Sequence, residues 1–252
     1  MSESQDQAHP LALTGERTLP GIAVENYWFR RHEAAYDAID VWCRGATVFE
    51  AGCGEGYGAH SLARTASKVI GLDYDEAAVQ HVAGTYSDIR VVRGNLAQLP
   101  VRTGAIDVVV NLQVIEHLWD QPAFLAETAR VLRPGGTLLL STPNRLTFSP
   151  GQTAPLNPFH TRELSADELS GLLADAGFSM LRLYGVWHGR RLRRLDKRHG
   201  GSLIDAQLAG PAATWHPSLR ADVASVRAAD FDIRTDDIDN SLDLLAIAVQ
   251  PG

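Results

Sequence analysis

The segment 48–76, VFEAGCGEGYGAHSLARTASKVIGLDYDE, constrains the chain more than any other stretch. An apolar run reaches Glu50, glycines follow at Gly52, Gly54, Gly56 and Gly58, a helix-forming stretch begins at Tyr57, and a second apolar run ends at Asp73. Glycines let a chain turn sharply and let a ligand approach the backbone, and the helix that follows offers free N–H groups at its first turn. A carboxylate at the end of the second strand can accept hydrogen bonds from both hydroxyls of a ribose. The dinucleotide fingerprint G-x-G-x-x-G would need its third glycine where Tyr57 stands. The loop therefore suits an adenosine ligand but departs from the dinucleotide pattern.

The alternation continues downstream. Short apolar or β-branched runs predict strands at Thr47–Ala51, Lys68–Leu72, Arg90–Val92, Ile106–Asn111 and Thr137–Ser141. Helices fit Tyr57–Ala66, Asp75–Tyr86 and Gln121–Leu132 between them. Such alternation implies parallel strands joined by right-handed crossovers. Ahead of it, Val24–Ile39 has apolar residues at helical spacing, which predicts a packed helix. Trp28 and Phe29 offer stacking surfaces there, and Arg30, Arg31 and His32 are candidates to reach a polar substrate. After LRPGG, a proline-rich loop leads to an expected helix at Ala166–Ala176 and strands at Met180–Val186 and Leu242–Val249. The chain reads as a flexible segment 1–23 and a single domain 24–252, with a helical cap over 24–45 and an insertion or lid over 188–238. The insertion opens with six cations in nine residues, Arg190 to Arg198, which is either a solvated helix face or a surface that attracts an anionic acceptor.

Composition excludes several classes. Hydrophobic residues make up 45% and charged residues 21%, as in an ordinary globular protein. No run has transmembrane length. The polar N-terminus lacks a basic start and an apolar core, so a cytoplasmic location is expected. A net charge of -7 argues against a nucleic-acid partner. Cys43 and Cys53 are expected to be reduced and buried, because Cys53 lies inside the glycine loop.

Five motifs in order, EAGCGEG, GLDYDE, GNLAQLP, IDVVVNLQVIEHL and LRPGG, resemble the class I S-adenosylmethionine-dependent methyltransferases. The resemblance implies an α/β, Rossmann-like doubly wound sheet of about seven strands, mostly parallel with an antiparallel last strand. It also implies S-adenosylmethionine as cofactor. Gly52 and Gly54 would then pass beside its methionine part, with Glu50 supporting the amino end. Asp73 would hold the ribose, followed by Tyr74. Asn95 would meet the adenine amino group and Leu96 would cover the base, while Asn111 and Gln113 would border the methyl group.

Methyl transfer to oxygen is an in-line displacement with a neutral thioether as leaving group, so the enzyme mainly has to position the reactants and remove a proton. QVIEHL supplies Glu116 and His117, and NPFHTREL supplies His160. This set resembles the E-x-x-E-H pattern, with a later histidine, that binds a divalent cation in ubiquinone-pathway and small-RNA 2′-O-methyltransferases. Here Gln113 replaces the first glutamate. The resemblance makes Glu116, His117 and His160 candidates for catalysis and for binding Mg2+. Without a metal, His160 or His117 is the expected general base. The plainer alternative is that Glu116 and His117 open a helix and bond the neighbouring loop.

A wider set, including LTGERTLPG, ENYWFRRHE, STPNRLTFSPG, RHGGSLIDAQ and DIDNSLDLLAIAV, is similar to mycobacterial methyltransferases associated with methylglucose lipopolysaccharides. That likeness implies O-methylation of a sugar hydroxyl on an oligo- or polysaccharide acceptor, an α-glucan with an anionic end. The alternative acceptor is a quinone, lipid or other small metabolite.

Overall fold

The computed structural model describes Leu11 and residues 17–251; the expected flexible segment 1–23 lies largely outside them. An N-terminal helix, α1 (Asn26–Cys43), precedes β1 (Thr47–Ala51), α2 (Tyr57–Ala63), β2 (Lys68–Asp73), α3 (Glu76–Thr85) and β3 (Ile89–Arg93). Then come β4 (Ile106–Leu112), α4 (Gln121–Val131), β5 (Leu132–Pro143), the single turn α5 (Arg145–Phe148), α6 (Ala166–Asp175) and β6 (Ser179–His188). Helices α7 (Arg190–Arg198), α8 (Leu203–Leu208) and α9 (Pro217–Ala224) lead to β7 (Phe231–Arg234) and β8 (Asp243–Val249).

All eight strands form one sheet in the order β3-β2-β1-β4-β5-β8-β6-β7. Neighbours from β3 to β5 pair in parallel, and β8 runs antiparallel to both β5 and β6. Successive strand residues point to opposite faces, so the central strands, covered on both sides, are mostly apolar, with Glu50 and Asn111 as buried polar exceptions. Phe49, Val109 and Leu138 enter a core with Phe124 and Leu169, whereas Val48, Val108 and Leu139 enter another with Ile39, Leu62 and Val82. Asp75 caps α3 by accepting the Ala77 N–H, and Ser165 with Glu168 closes a capping box on α6.

The sheet has one strand more than the sequence suggested, because β7 is a four-residue edge strand that pairs antiparallel with β6. Segment 188–238 is largely helical, and a third core joins it to α1: Tyr27 and Ala34 meet Leu192, Leu203, Val223 and Phe231. Two polar contacts reinforce that junction. Arg31 forms a two-pronged ion pair with Asp243, at 2.5 Å for each bond and with both side chains at most 4% exposed. The Tyr27 hydroxyl donates to His188 Nε2 at 2.7 Å, and His188 Nδ1 donates to Asp196 at 2.7 Å. Both cysteines are buried and free, and burial pushes the Cys43 thiol up to about 12. Among the described residues no helix is long and apolar enough to cross a membrane.

Candidate active site

A cavity of about 810 Å³ opens at the carboxyl ends of β1 to β4, where ligands of open α/β sheets bind. Six of the expected cofactor residues line it: Gly52, Gly54, Asp73, Tyr74, Asn95 and Leu96. Gly52 and Gly54 adopt φ of 90° and 52°, and a Cβ on Gly52 would lie 2.7 Å from the Val114 side chain. Only glycine satisfies both demands there. Asp73 accepts the Gly54 N–H at 2.8 Å and the Asp75 N–H at 2.9 Å, so the same carboxylate shapes the loop and faces the cavity. Asn95 Oδ1 accepts the Ala97 N–H at 2.9 Å and keeps a second lone pair.

Glu50 and Asn111 stand behind this wall and do not line the cavity. Asn111 donates to the Ala51 carbonyl at 2.8 Å and fixes the end of β1. Glu50 is 1% exposed and accepts a hydrogen bond from the Tyr36 hydroxyl, while its Oε2 has no partner among the described residues. Burial pushes its carboxyl up to about 8. A buried carboxylate oxygen behind the glycine loop suits the cationic amino end of S-adenosylmethionine.

The opposite wall carries Gln113, His117 and His160. Gln113 holds φ at 57°, a conformation that costs energy outside glycine, and donates from Nε2 to the Ser141 hydroxyl at 2.8 Å. The His117 and His160 rings meet edge to face with centroids 4.8 Å apart. His117 donates from Nδ1 to the Phe159 carbonyl at 3.0 Å. His160 is engaged at both nitrogens. Nδ1 donates to Glu163 at 2.7 Å, and Nε2 accepts from Asn157 at 3.0 Å. The Asn157 amide orientation is fixed because its Oδ1 accepts the Phe159 N–H at 3.0 Å.

Glu116 lies beneath that wall, 1% exposed, and accepts the Thr142 hydroxyl at 3.0 Å. Burial pushes its carboxyl up to about 8. Its backbone carbonyl accepts the Thr161 N–H at 2.7 Å, which stitches the loop after β4 to the loop carrying His160. One donor atom each from Glu116, His117 and His160 lies within 4.8 Å of the others, so the three do come together.

The third wall contains His32, a candidate from the sequence to reach a polar substrate, and residues that sequence reasoning had not assigned to the cavity: Arg17, Thr18, Tyr36, Glu55 and Tyr57. The ring of Tyr57, at the position of the missing fingerprint glycine, packs edge to face on Phe29 and Tyr36 at 4.9 and 5.8 Å. The i, i+4 spacing of His32 and Tyr36 was the available signal, since it puts both on one helix face. Their neighbours point elsewhere. Arg31 is committed to Asp243, Arg30 pairs with Glu33 at 2.6 Å, and Trp28 packs on Tyr27. Among the described residues of segment 188–238, none lines the cavity, so the insertion braces α1 and is not a cover over this opening. Of its cations, Arg191, Arg193 and Arg198 pair with Asp230, Asp232 and Asp222. Arg190, Arg194 and Lys197 form an exposed stripe on one face of α7 with no ion pair among the described residues.

A largely parallel sheet with a glycine loop after β1, an acid at the end of β2 and an antiparallel β8 is the architecture of the Rossmann-like methyltransferases. Comparison with known proteins agrees. The model of the methyltransferase domain family matches residues 49–140. A protein of Mycolicibacterium smegmatis named "Probable S-adenosylmethionine-dependent methyltransferase" is 59% identical over 253 residues, covering 98% of each chain. A protein of Mycobacterium tuberculosis with the same descriptive name is 57% identical, covering 96% of this chain and 90% of its own. The structure of a possible histamine N-methyltransferase from Thermotoga maritima superposes with a TM-score of 0.63 at 15% identity, over 90% of this chain and 94% of that one, and so shares the fold. The chain belongs to the S-adenosylmethionine-dependent methyltransferases and is a transferase enzyme that uses S-adenosylmethionine.

Proposed function

We propose that the enzyme methylates a sugar hydroxyl of an oligo- or polysaccharide of the methylglucose lipopolysaccharide type. The observation that carries this reading is the cavity rim. Trp119 is 94% exposed there and Phe159 44% exposed, beside an acceptor wall of hydrogen-bonding side chains. The negative face of an indole meets the C–H face of a pyranose ring, while imidazole and amide groups meet its hydroxyls. The two mycobacterial relatives are named as probable methyltransferases, and their names specify no acceptor. The Arg190, Arg194 and Lys197 stripe supports an acceptor with an anionic end beyond the cavity.

Bound S-adenosylmethionine supplies a methyl group on a positive sulfur. Asp73, Asn95 and Leu96 hold the nucleoside end, and Glu50 supports the amino end from behind the loop. Transfer of the methyl group to the acceptor oxygen would break the bond to sulfur and leave a neutral thioether, while the acceptor's proton would pass to His117. In the neutral ring the Nδ1–H bond to Phe159 places the lone pair on Nε2. His160, held by Glu163 and Asn157, fixes the His117 ring from its edge, and Glu116 ties the two loops together.

Magnesium fits this cluster poorly. It takes mostly oxygen ligands in octahedral geometry, whereas the cluster offers two imidazoles, one already bonded at both nitrogens, and one carboxylate beneath the wall. No step is assigned to it. The test is transfer of labelled methyl groups to short α-1,4-glucans, with and without a glycerate end, a mannoside and a catechol, each with magnesium and with chelator. Labelled glucans in both conditions are expected. Labelling of the catechol alone refutes the sugar reading, and loss with chelator that magnesium restores refutes the metal-free one.

A further inference from the structure

We propose that His32 binds the acceptor: its Nε2 meets a hydroxyl other than the one being methylated, so the enzyme selects acceptors that present several hydroxyls. The inference rests on the hydroxyl-acceptor reading above and adds a second contact point on the third wall, apart from His117.

The ring is held in place. His32 Nδ1 lies 3.1 Å from the Tyr57 hydroxyl and 3.3 Å from the Thr18 hydroxyl, which are themselves 3.0 Å apart. Tyr57 is in turn wedged between Phe29 and Tyr36. Among the described residues Nε2 has no hydrogen-bond partner, and the side chain lines the cavity. Its height follows from α1, whose C-terminal end leads into the start of β1, so its N-terminal end lies toward the carboxyl edge of the sheet. Tyr36 reaches Glu50, and His32 sits one turn nearer the opening, about 6 Å further out. That is beyond the methionine end and toward the acceptor.

The chemistry selects a hydroxyl. Burial, aided by the Arg31 guanidinium and opposed by Asp243, lowers the His32 pKa to about 4, so the ring is neutral at working pH. A catalytic base works best with a pKa near the operating pH, which this ring lacks. A carboxylate ligand would call for a cation, and Arg17 on the same wall is already paired with Asp75 at 2.6 Å. A hydroxyl both donates and accepts, so it satisfies Nε2 in either tautomer.

The test compares the wild type with His32→Phe, which keeps a ring without nitrogens, and with His32→Gln, whose amide reaches the Nε2 position. Expected for His32→Phe is an acceptor KM raised about tenfold, an affinity for S-adenosylhomocysteine within about twofold of the wild type and an unaltered pH profile. His32→Gln should recover most of the loss. A mono-hydroxyl acceptor should show the same KM with the wild type and His32→Phe. An unchanged acceptor KM overturns the proposal, as does an equal loss of S-adenosylhomocysteine affinity, which would put His32 on the cofactor. Methyl transfer to a catechol alone would refute the sugar reading, and the comparison of catechol with a monophenol would still decide the role of His32.

Discussion

Replacing Gly58 by alanine is the most discriminating stability experiment. Gly58 is the second residue of α2, where alanine would ordinarily stabilise the helix by about 1 kcal/mol. The structure predicts the opposite sign. A Cβ at Gly58 would lie 2.1 Å from Tyr36 Cζ and 2.3 Å from its hydroxyl oxygen, so the ring must retreat by roughly 1 Å or more. Overpacking of this kind costs about 1–3 kcal/mol. Retreat also withdraws the Tyr36 hydroxyl from Glu50, whose Oε2 already lacks a partner among the described residues, at a further cost of about 1–3 kcal/mol. Set against the propensity gain, the net cost of about 1–5 kcal/mol corresponds to a melting temperature lower by roughly 2–20 °C for a domain of this size. Thermal melts followed by circular dichroism measure the stability, and calorimetric titration with S-adenosylhomocysteine should show weaker binding. Combining the change with Tyr36→Ala removes the clash, so the double variant should lose less than the two single losses added. A Gly58→Ala protein that melts at or above the wild-type temperature, or strictly additive losses, would refute the coupling.

The remaining predictions concern charge. Burial raises Glu50 and Glu116 to about 8, so between pH 4.5 and 8 the folded protein holds more protons than the unfolded chain, and apo stability should fall as pH rises through that window. Melts from pH 5 to 9 test this; Glu116→Gln should flatten the curve, and a rising wild-type curve would contradict it. Asp73→Ala removes one hydrogen bond to the glycine loop at Gly54, one from the Asp75 N–H and the proposed ribose contact, so S-adenosylhomocysteine affinity should drop about 100-fold or more; retained affinity in a titration would place the ribose elsewhere. Arg31→Met strands Asp243 in the core at a cost of about 3–5 kcal/mol, read by urea denaturation, and Arg31→Met with Asp243→Leu should regain most of it.

The glycine-loop wall of the cavity was legible because its determinants are local. Strand, glycine turn, helix and acid follow one another between Val48 and Asp73, and each residue type answers a backbone demand of its own segment. The wall of Gln113, His117 and His160 was legible only as a collection of residues. His117 and His160 meet because Thr161 bonds the Glu116 carbonyl across a long loop, which no periodicity announces. The insertion was the least legible part. Helix α7 shows a run of cations and hides Leu192 and Leu195, the residues that dock it, and β7 is too short to stand out from its charged flanks. Glu50 and Asn111 were expected at the cofactor, but spacing along the chain could not tell a lining side chain from one held directly behind it.

Helix α1 explains how so remote an insertion can matter to the cavity. Tyr27, Arg31 and Tyr36 lie on successive turns, and each is fixed by a polar partner in a different part of the fold: His188 and Asp196 at the insertion, Asp243 at the start of β8, and Glu50 at the end of β1. His32 lies between the last two and borrows its orientation from Tyr57, at the first turn after the glycine loop. Rotating the helix by a fraction of a turn would break all of these contacts together, since ion pairs and buried hydrogen bonds lose their value steeply with misalignment. Segment 188–238 therefore acts on the site by holding α1 in one rotational setting. Damage to its core, for instance at Leu203 or Val223, should raise the acceptor KM through His32 and weaken S-adenosylhomocysteine binding through Tyr36 and Glu50, with the proposed nucleoside contacts of Asp73 at the end of β2 and of Asn95 and Leu96 after β3 left in place.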